Sequence, residues 1–291
     1  MSDRFTVESA DELGPFLFAR LPEMKHTNIR NLVRFRAVTV NGRVITRCNH
    51  ALNAGDKVKI TFGKHRSTVP RLPAGLEIAH EDSAVLLVNK PAGLLTVSTD
   101  SEQDETLHRY LDDYIRVTEP KGEGRVYLVH RLDRETSGLI VFAKNAIARR
   151  ELKENWKQTE KKYLAVVDGV VVQTTGTIRS YLEEDRALKV FSGPRTDTSK
   201  LAVTHFKVLQ TTRRYTLLEL TLETGRKNQI RVHCADIGHP VVGDAKYGGP
   251  SSPAKRLALH SHVFEFVHPV TRRRMRFESP LPEALKKLIS R

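Results

Sequence analysis

Five polar residues, Asp133 to Ser137, separate two apolar runs in VYLVHRLDRETSGLIVFAK (Val126 to Lys144), and each run reads as a buried strand. A bend needs only turn residues, yet His130, Arg131, Asp133, Arg134, Glu135, Thr136 and Ser137 crowd around this one. Asp133 is the acidic residue nearest the end of the first run, and Arg131 and Arg134 beside it favour its ionised form. An ionised carboxylate can act as a nucleophile or stabilise a sugar cation at an anomeric carbon. Glu135 would share a face with Asp133 in an extended segment, at about 7 Å between α-carbons, a pair that a base-releasing glycosidase could use. Taken alone, the loop also fits a plain turn in which Asp133 satisfies backbone amides and Ser137-Gly138 completes the bend.

Two further stretches carry reactive side chains. TGRKNQIRVHCADIGHPVVGDAKYGG (Thr224 to Gly249) leaves a strand through Gly225 and enters a helix. Ile230, His233, Cys234 and Ile237 fall at helical spacing, so His233 and Cys234 face the core, while Lys227, Asn228 and Arg231 share the polar face and can present cations to an anion. Gly238 ends the helix and His239-Pro240 prevents its continuation. In KKYLAVVDG (Lys161 to Gly169), a strand, alternation puts Lys161 and Tyr163 on one face; a tyrosine there can pack, stack on a base or transfer a proton.

The elements that must position these groups are legible in outline. From Glu12 to Ile60 the pattern gives two short amphipathic helices, with Phe16, Leu17 and Leu21 on one face and Ile29, Leu32 and Val33 on the other, then a strand pair. Asn41-Gly42 in VTVNGRVI supplies the positive φ of a tight hairpin. Thr61 to Gly75 combines Pro, Gly and basic residues without apolar periodicity and reads as a linker. From Leu76 onward strands alternate with helices: Leu76 to Gly93 gives two strands and a Pro-Ala-Gly turn. Asn145 caps a helix with Ala148, Leu152 and Trp156 on its buried side, and YTLLELTLET is a half-buried antiparallel strand. The expected class is α+β, with a catalytic domain on a largely antiparallel mixed sheet with flanking helices.

Composition narrows the partners. The 291 residues carry 48 Lys+Arg against 34 Asp+Glu, a formal net charge of +14, as expected of a protein that meets a polyanion. Two cysteines, Cys48 and Cys234, fit a reducing cytosol better than a disulfide scaffold, and no CxxC or HxxxH spacing suggests a metal site. No apolar run is long enough to span a bilayer, and the acidic start MSDRFTVESADELG does not resemble a secretory signal. No GxGxxG or Walker-type glycine loop follows a strand, so no nucleotide cofactor is expected.

HRLDRETSGL, KKYLAVVDG, TGRKNQIRVH, GHPVVGDAKYG and RLALHSHVFEFVHP occur in this order, and the ordered set resembles the RluA family of pseudouridine synthases over Leu76 to Pro280. Val38 to Ile60 resembles the signature of the small RNA-binding domain first recognised in a ribosomal small-subunit protein. The resemblance implies an RNA-binding domain over residues 1–60, a linker over 61–75 and a pseudouridine synthase domain over 76–291. It implies an enzyme that isomerises uridines, most closely of the large-subunit ribosomal RNA branch, with transfer RNA as the competing substrate and a catalytically silent assembly factor as the rival reading. No cofactor, no metal, no membrane, a monomeric state and a cytoplasmic location go with it. By the same resemblance Asp133 is the nucleophile, Tyr163 stacks on the target base and is a candidate proton acceptor, and Arg231 pairs with Asp133. Leu259 walls the uracil, with Ile140 adding to that wall, and Arg131 enters the gap left by a flipped uridine. Lys161 and Arg226 are expected at the substrate, and Lys25, His26, Asn28, Arg30, Arg34 and Arg36 on the RNA face of the N-terminal domain. The basic surplus, including Arg272, Arg273 and Arg274, supplies sequence-independent affinity.

Overall fold

The computed structural model describes residues 2–24, 26–34, 37–61, 72–98, 105–118 and 124–290, which fall into two compact units, one within 2–61 and the other within 72–290. The first runs β1 (Ser2–Thr6), β2 (Asp11–Glu12), α1 (Leu13–Arg20), α2 (His26–Arg34), β3 (Val38–Val40), β4 (Arg43–Val44), β5 (Ala51–Leu52) and β6 (Lys57–Thr61). Its sheet has the order β1-β6-β3-β4, and Leu13, Phe16 and Leu17 of α1 with Ile29 and Val33 of α2 close the core over Val38, Val58 and Ile60. The hairpin forms as expected, with Asn41 at φ 50 and Gly42 at φ 79. The Asn41 amide also donates to Asp56 (2.7 Å) and accepts from the Lys57 N–H (2.9 Å), tying the turn to the start of β6. The opening strand β1 was not expected from the sequence. It exists by pairing along its length with β6, a tertiary partner that a five-residue window cannot announce.

The second unit runs β7 (Glu77–Glu81), β8 (Val85–Lys90), α3 (Leu107–Thr118), β9 (Tyr127–Leu128), β10 (Ser137–Ala143), α4 (Ala146–Glu154), β11 (Glu160–Asp168), β12 (Thr175–Glu184), β13 (Val190–Gly193), β14 (Lys200–Thr211), β15 (Tyr215–Leu222), α5 (Gln229–Asp236), β16 (Leu259–Val267), β17 (Arg274–Glu278) and α6 (Glu283–Ile289). Eleven strands form one sheet ordered β13-β12-β14-β15-β11-β16-β10-β8-β7, with β17 beside β16 and β9 beside β10. The ladders are antiparallel apart from β10 on β16, so the α+β, largely antiparallel expectation holds. Of the expected linker over 61–75, 62–71 lies outside the described residues, Thr61 closes β6, and Leu72 packs against the second unit's core.

The short apolar runs are central strands covered on both faces, which is why they read as near-continuous hydrophobic stretches. In β8 and β10, Leu86, Val88, Ile140 and Phe142 meet the main core, whereas Val85, Leu87, Leu139 and Val141 meet a second cluster closed by Ala148 and Leu152 of α4. Each such side chain stabilises the fold by about 1.5–3 kcal/mol on burial. Asn145 caps α4 as expected, accepting from the Ala148 N–H at 2.8 Å.

The strand-turn-strand expected around Asp133 is only half realised. The first apolar run contributes just β9, paired through Tyr127 and Leu128, and the chain then leaves the sheet until Ser137. The parallel contact that follows depends on one glycine. Gly138 sits at φ +110, and a Cβ there would lie 2.1 Å from the Ser261 carbonyl oxygen, so no other residue lets β10 approach β16 this closely.

Candidate active site

Tertiary anchors, more than local turn chemistry, hold the loop that carries Asp133. Leu132 turns into the core, its N–H donating to Thr96 Oγ1 (3.2 Å) and its carbonyl accepting from the same hydroxyl (2.7 Å). His130 accepts the Val141 N–H at Nε2 (3.1 Å) and stacks on Phe264, the ring centroids 5.0 Å apart. Beyond Asp133, the Arg134 carbonyl accepts from Lys90 Nζ (3.0 Å). Lys90 is 1% exposed and also donates to the carbonyls of Pro91 (2.9 Å) and Leu94 (2.7 Å), so each N–H of its ammonium has an acceptor. Burial pushes its pKa down to about 7, against the opposing pull of Glu135 and Asp133.

Ser137 is not only a turn residue. Its hydroxyl oxygen accepts from Arg256 (2.6 Å) and its proton lies toward His260 Nδ1 (2.8 Å). His260 Nε2 faces the Ser279 carbonyl (3.2 Å), which only accepts, so the ring is the Nε2–H tautomer and Nδ1 accepts from Ser137. Burial pushes the His260 pKa down to about 4, with the nearby Arg256 and His262 acting in the same direction. This network ties the end of the Asp133 loop to β16, the strand that opens with Leu259.

Asp133 and Thr136 from the loop, Tyr163 of β11, Leu259 of β16 and the Arg226–Arg231 segment line one small cleft of about 70 Å³. A larger hollow lies elsewhere in this unit, but it holds none of these groups. Tyr163 is 8% exposed, and burial, together with the Asp133 charge, pushes its phenol up to about 12, only partly countered by a hydrogen bond with Ser261. The phenol is therefore neutral at physiological pH and offers a flat face.

Arg231 projects from α5, whose first turn begins after Asn228 in the left-handed region at φ 53. Its guanidinium grips Asp244 with both fork positions, Nε to Oδ2 and Nη2 to Oδ1, each at 2.7 Å, and Nη1 lies 3.8 Å from Asp133 Oδ2. The Asp244 side chain is 0% exposed. Burial alone would lower the pKa of Arg231, but Asp244 and, more weakly, Asp133 and Tyr247 outweigh it and raise the pKa. Gly243 places the carboxylate: it lies at φ +83, and a Cβ there would come within 2.3 Å of the Arg256 carbonyl oxygen.

Several expected residues fall elsewhere. Lys161 is not among the residues that line the cleft: the β11–β16 register shifts where His262 of β16 is passed over, so Lys161 pairs with Phe264 while Tyr163 pairs with Ser261. Lys161 is buried with Nζ 5.0 Å from the Trp156 ring, in the second cluster's surroundings and away from the cleft. Ile140 is 0% exposed in the main core, in the same cluster as Leu259, and does not line the cleft. Arg131 is exposed on the cleft's edge, and Arg226 lines it while donating Nε to the Leu201 carbonyl (3.1 Å). Lys227 is drawn off to Glu184. His233 and Cys234 are core residues, as their spacing indicates. In the first unit His26 stacks on Phe18 (4.1 Å) and the Arg30 guanidinium lies 5.6 Å from the same ring. Lys25 and Arg36 lie outside the described residues, as do the side chains of Asn28 and Arg34. Sequence reasoning missed Asp244, Lys90 and the Ser137–His260–Arg256 network. The GD pair after an apolar run in GHPVVGDAKYG was the available signal for Asp244.

Residues 84–236 match the model of the RNA pseudouridylate synthase family. The chain belongs to that family. The uncharacterized RNA pseudouridine synthase YlyB of Bacillus subtilis is 36% identical across 97% of this chain and 94% of its own length. The ribosomal large subunit pseudouridine synthase D of Xylella fastidiosa is 35% identical across 92% and 85%. Among solved structures, human RNA pseudouridylate synthase domain containing 4 superposes with a TM-score of 0.60 at 25% identity, over 72% of this chain and 90% of that one. This pseudouridine synthase is therefore an isomerase acting on RNA, and the family match includes Asp133, Tyr163 and Arg231. Among the described residues no helix of the synthase is long and apolar enough to cross a membrane.

Proposed function

We propose that this synthase isomerises uridines of large-subunit ribosomal RNA, that Asp133 is its nucleophile, and that residues 1–60 form a ribosomal-protein-type RNA-binding domain joined through 61–75 to a catalytic domain over 76–291. The observation that carries the assignment is the Asp133 carboxylate, 3.8 Å from a guanidinium that Asp244 holds in place, in one cleft with Tyr163 and Leu259. Isomerisation breaks the bond from the sugar C1′ to the base N1, turns the uracil, and forms a bond from C1′ to C5; C5 then loses a proton and N1 gains one. Breaking the first bond leaves C1′ electron-poor and the uracil anionic. A carboxylate traps or shields C1′, and Arg231 keeps that carboxylate aimed. Water must be excluded meanwhile, or the base would be released. The Leu259 wall and the buried ring of Tyr163 suit that need, and a neutral phenol favours stacking over service as a ready base.

Arg131 at the cleft edge is the residue to fill the stack when the uridine flips out, a step that costs a few kcal/mol. His26 and Arg30, exposed on α2, suit phosphate contacts of the N-terminal domain. The ribosomal target is supported by the several relatives named for the large subunit. The decisive experiment compares wild type and Asp133→Asn on RNA: the variant should bind with unchanged affinity and form no pseudouridine. Product from Asp133→Asn removes the nucleophile assignment, and free uracil from wild type would indicate a glycosidase. Mapping pseudouridines in total RNA of cells lacking the gene should show the loss in large-subunit ribosomal RNA; loss confined to transfer RNA overturns the target.

A further inference from the structure

At the opposite end of β11 and β15 from Tyr163 lies the larger hollow. Tyr163 pairs with Leu220 and Asp168 with Tyr215, so the two ends are separated by five residues of strand, about 17 Å. The hollow measures about 1270 Å³ between the turn joining β14 to β15, the loop at 253–255 and α6. Pockets for small ligands run to about 300–1,000 Å³, so its size suits a polymer segment better than a metabolite.

Its lining has the charge of a polyanion site. Arg213, Arg214, Lys255 and Lys287 are exposed around it and form no ion pair among the described residues. The carboxylate on the lining, Glu283, lies 3.7 Å from Lys286. The C-terminal end of α6 accounts for Lys287, since a cation suits the negative end of a helix. It does not account for two arginines on a β-turn and a lysine from a separate loop. Tyr215, also on the lining, is 6% exposed, and its hydroxyl is buried without a hydrogen-bond partner among the described residues. Folded proteins seldom leave such a group unpaired, so the hydroxyl is a donor that a ligand reaching it would satisfy. The Arg214 guanidinium lies 5.2 Å from the Tyr215 ring centroid, so an anion that draws Arg214 outward also uncovers the phenol.

We propose that this hollow is a second RNA subsite, holding a phosphodiester segment of the same RNA whose uridine enters the Asp133 cleft. Its phosphates lie against Arg213, Arg214, Lys255 and Lys287, and the Tyr215 hydroxyl donates to one phosphate oxygen. The inference rests on RNA as substrate and adds where that RNA is held away from the reacting base. No covalent step is involved.

The test irradiates the full-length enzyme with total RNA from cells grown on 4-thiouridine and maps crosslinked peptides by mass spectrometry. Crosslinks are expected both around Asp133 and within 210–215 or 283–290. The Arg213→Gln/Arg214→Gln variant should raise KM for the modified RNA about tenfold with kcat unchanged, and flatten the salt dependence of binding by a slope of about 2, one per lost phosphate contact. Tyr215→Phe should raise KM without lowering Tm, because the hydroxyl has no partner among the described residues. Crosslinks around Asp133 with none in the hollow, or an unchanged KM and salt slope in the double variant, overturn the subsite while leaving the synthase reading intact. An acidic protein captured there in place of RNA overturns it equally. Failure of the synthase reading would show differently, as no crosslink at either place and no pseudouridine from wild type.

Discussion

Replacing Asp244 by Asn changes one charge and almost no volume, and it isolates what holds Arg231 in place. The carboxylate is fully buried and accepts from Arg231 Nε and Nη2 at 2.7 Å and from the backbone N–H groups of Lys246 and Tyr247 at 3.2 Å. An amide offers one acceptor oxygen and turns its NH2 toward one of these donors, so a buried guanidinium loses its charge partner and half of its fork. Breaking a buried pair costs about 3–5 kcal/mol, and the retained oxygen places this variant near the lower end, about 3 kcal/mol. In a domain of this size that corresponds to a drop in Tm of about 6–12 °C. Asp244 touches nothing at the cleft surface except through Arg231, so KM for RNA should hold. The rate should fall by about 10²–10³ in kcat, the usual effect of losing one preorganised group beside developing charge. Thermal unfolding and release of tritium from C5-labelled uridine in RNA measure the two quantities. A variant melting within about 2 °C of wild type and turning over within about twofold would refute the role of Asp244 in aiming Arg231.

Two further outcomes follow from buried ionisable groups. His260 is held neutral with its pKa pushed down to about 4, so the unfolded chain takes up this proton from about pH 6.5 downward and the folded chain only near 4. Stability from this group is therefore fully present above about pH 6.5 and is lost as pH falls toward 4, by up to about 1.4 kcal/mol per pH unit. A Tm series from neutral pH to pH 4 should show this, and His260→Gln should flatten it; an equally steep series in the variant would count against His260. Lys90→Met keeps the side chain's length but removes the Nζ donor from the carbonyls of Pro91 and Leu94 and leaves that of Arg134 with the Gly93 N–H alone, at a cost of about 1–3 kcal/mol, and loosens the Asp133 loop. Its kcat should fall while RNA affinity holds, and an unchanged kcat would show that the loop does not depend on this lysine.

Much of the local structure was legible because it depends on neighbours in sequence. Asn41-Gly42 demands positive φ wherever it occurs, Asn145 caps its own helix, and the helical spacing of Ile230, His233 and Cys234 sends them into the core while Arg231 lines the cleft. The candidate residues Asp133, Tyr163, Arg231 and Leu259 were named from motif order, and all of them line one cleft. What stayed illegible depends on residues distant in sequence. The irregularity at His262 that gives Lys161 and Tyr163 such different β16 partners arises in the pairing of β11 with β16, about a hundred residues later in the chain, and alternation within one strand carries no trace of it. The loop at 129–136 leaves the sheet because Thr96 and Lys90 capture its backbone. Asp244 and His260 look like ordinary polar residues until folding removes the water around them and leaves Arg231 and Ser137 as their partners. Backbone preferences and apolar periodicity act over a few residues and are written in the chain directly. The strength and aim of a charge depend on which distant groups share its desolvated surroundings, and those are set only when the sheet closes.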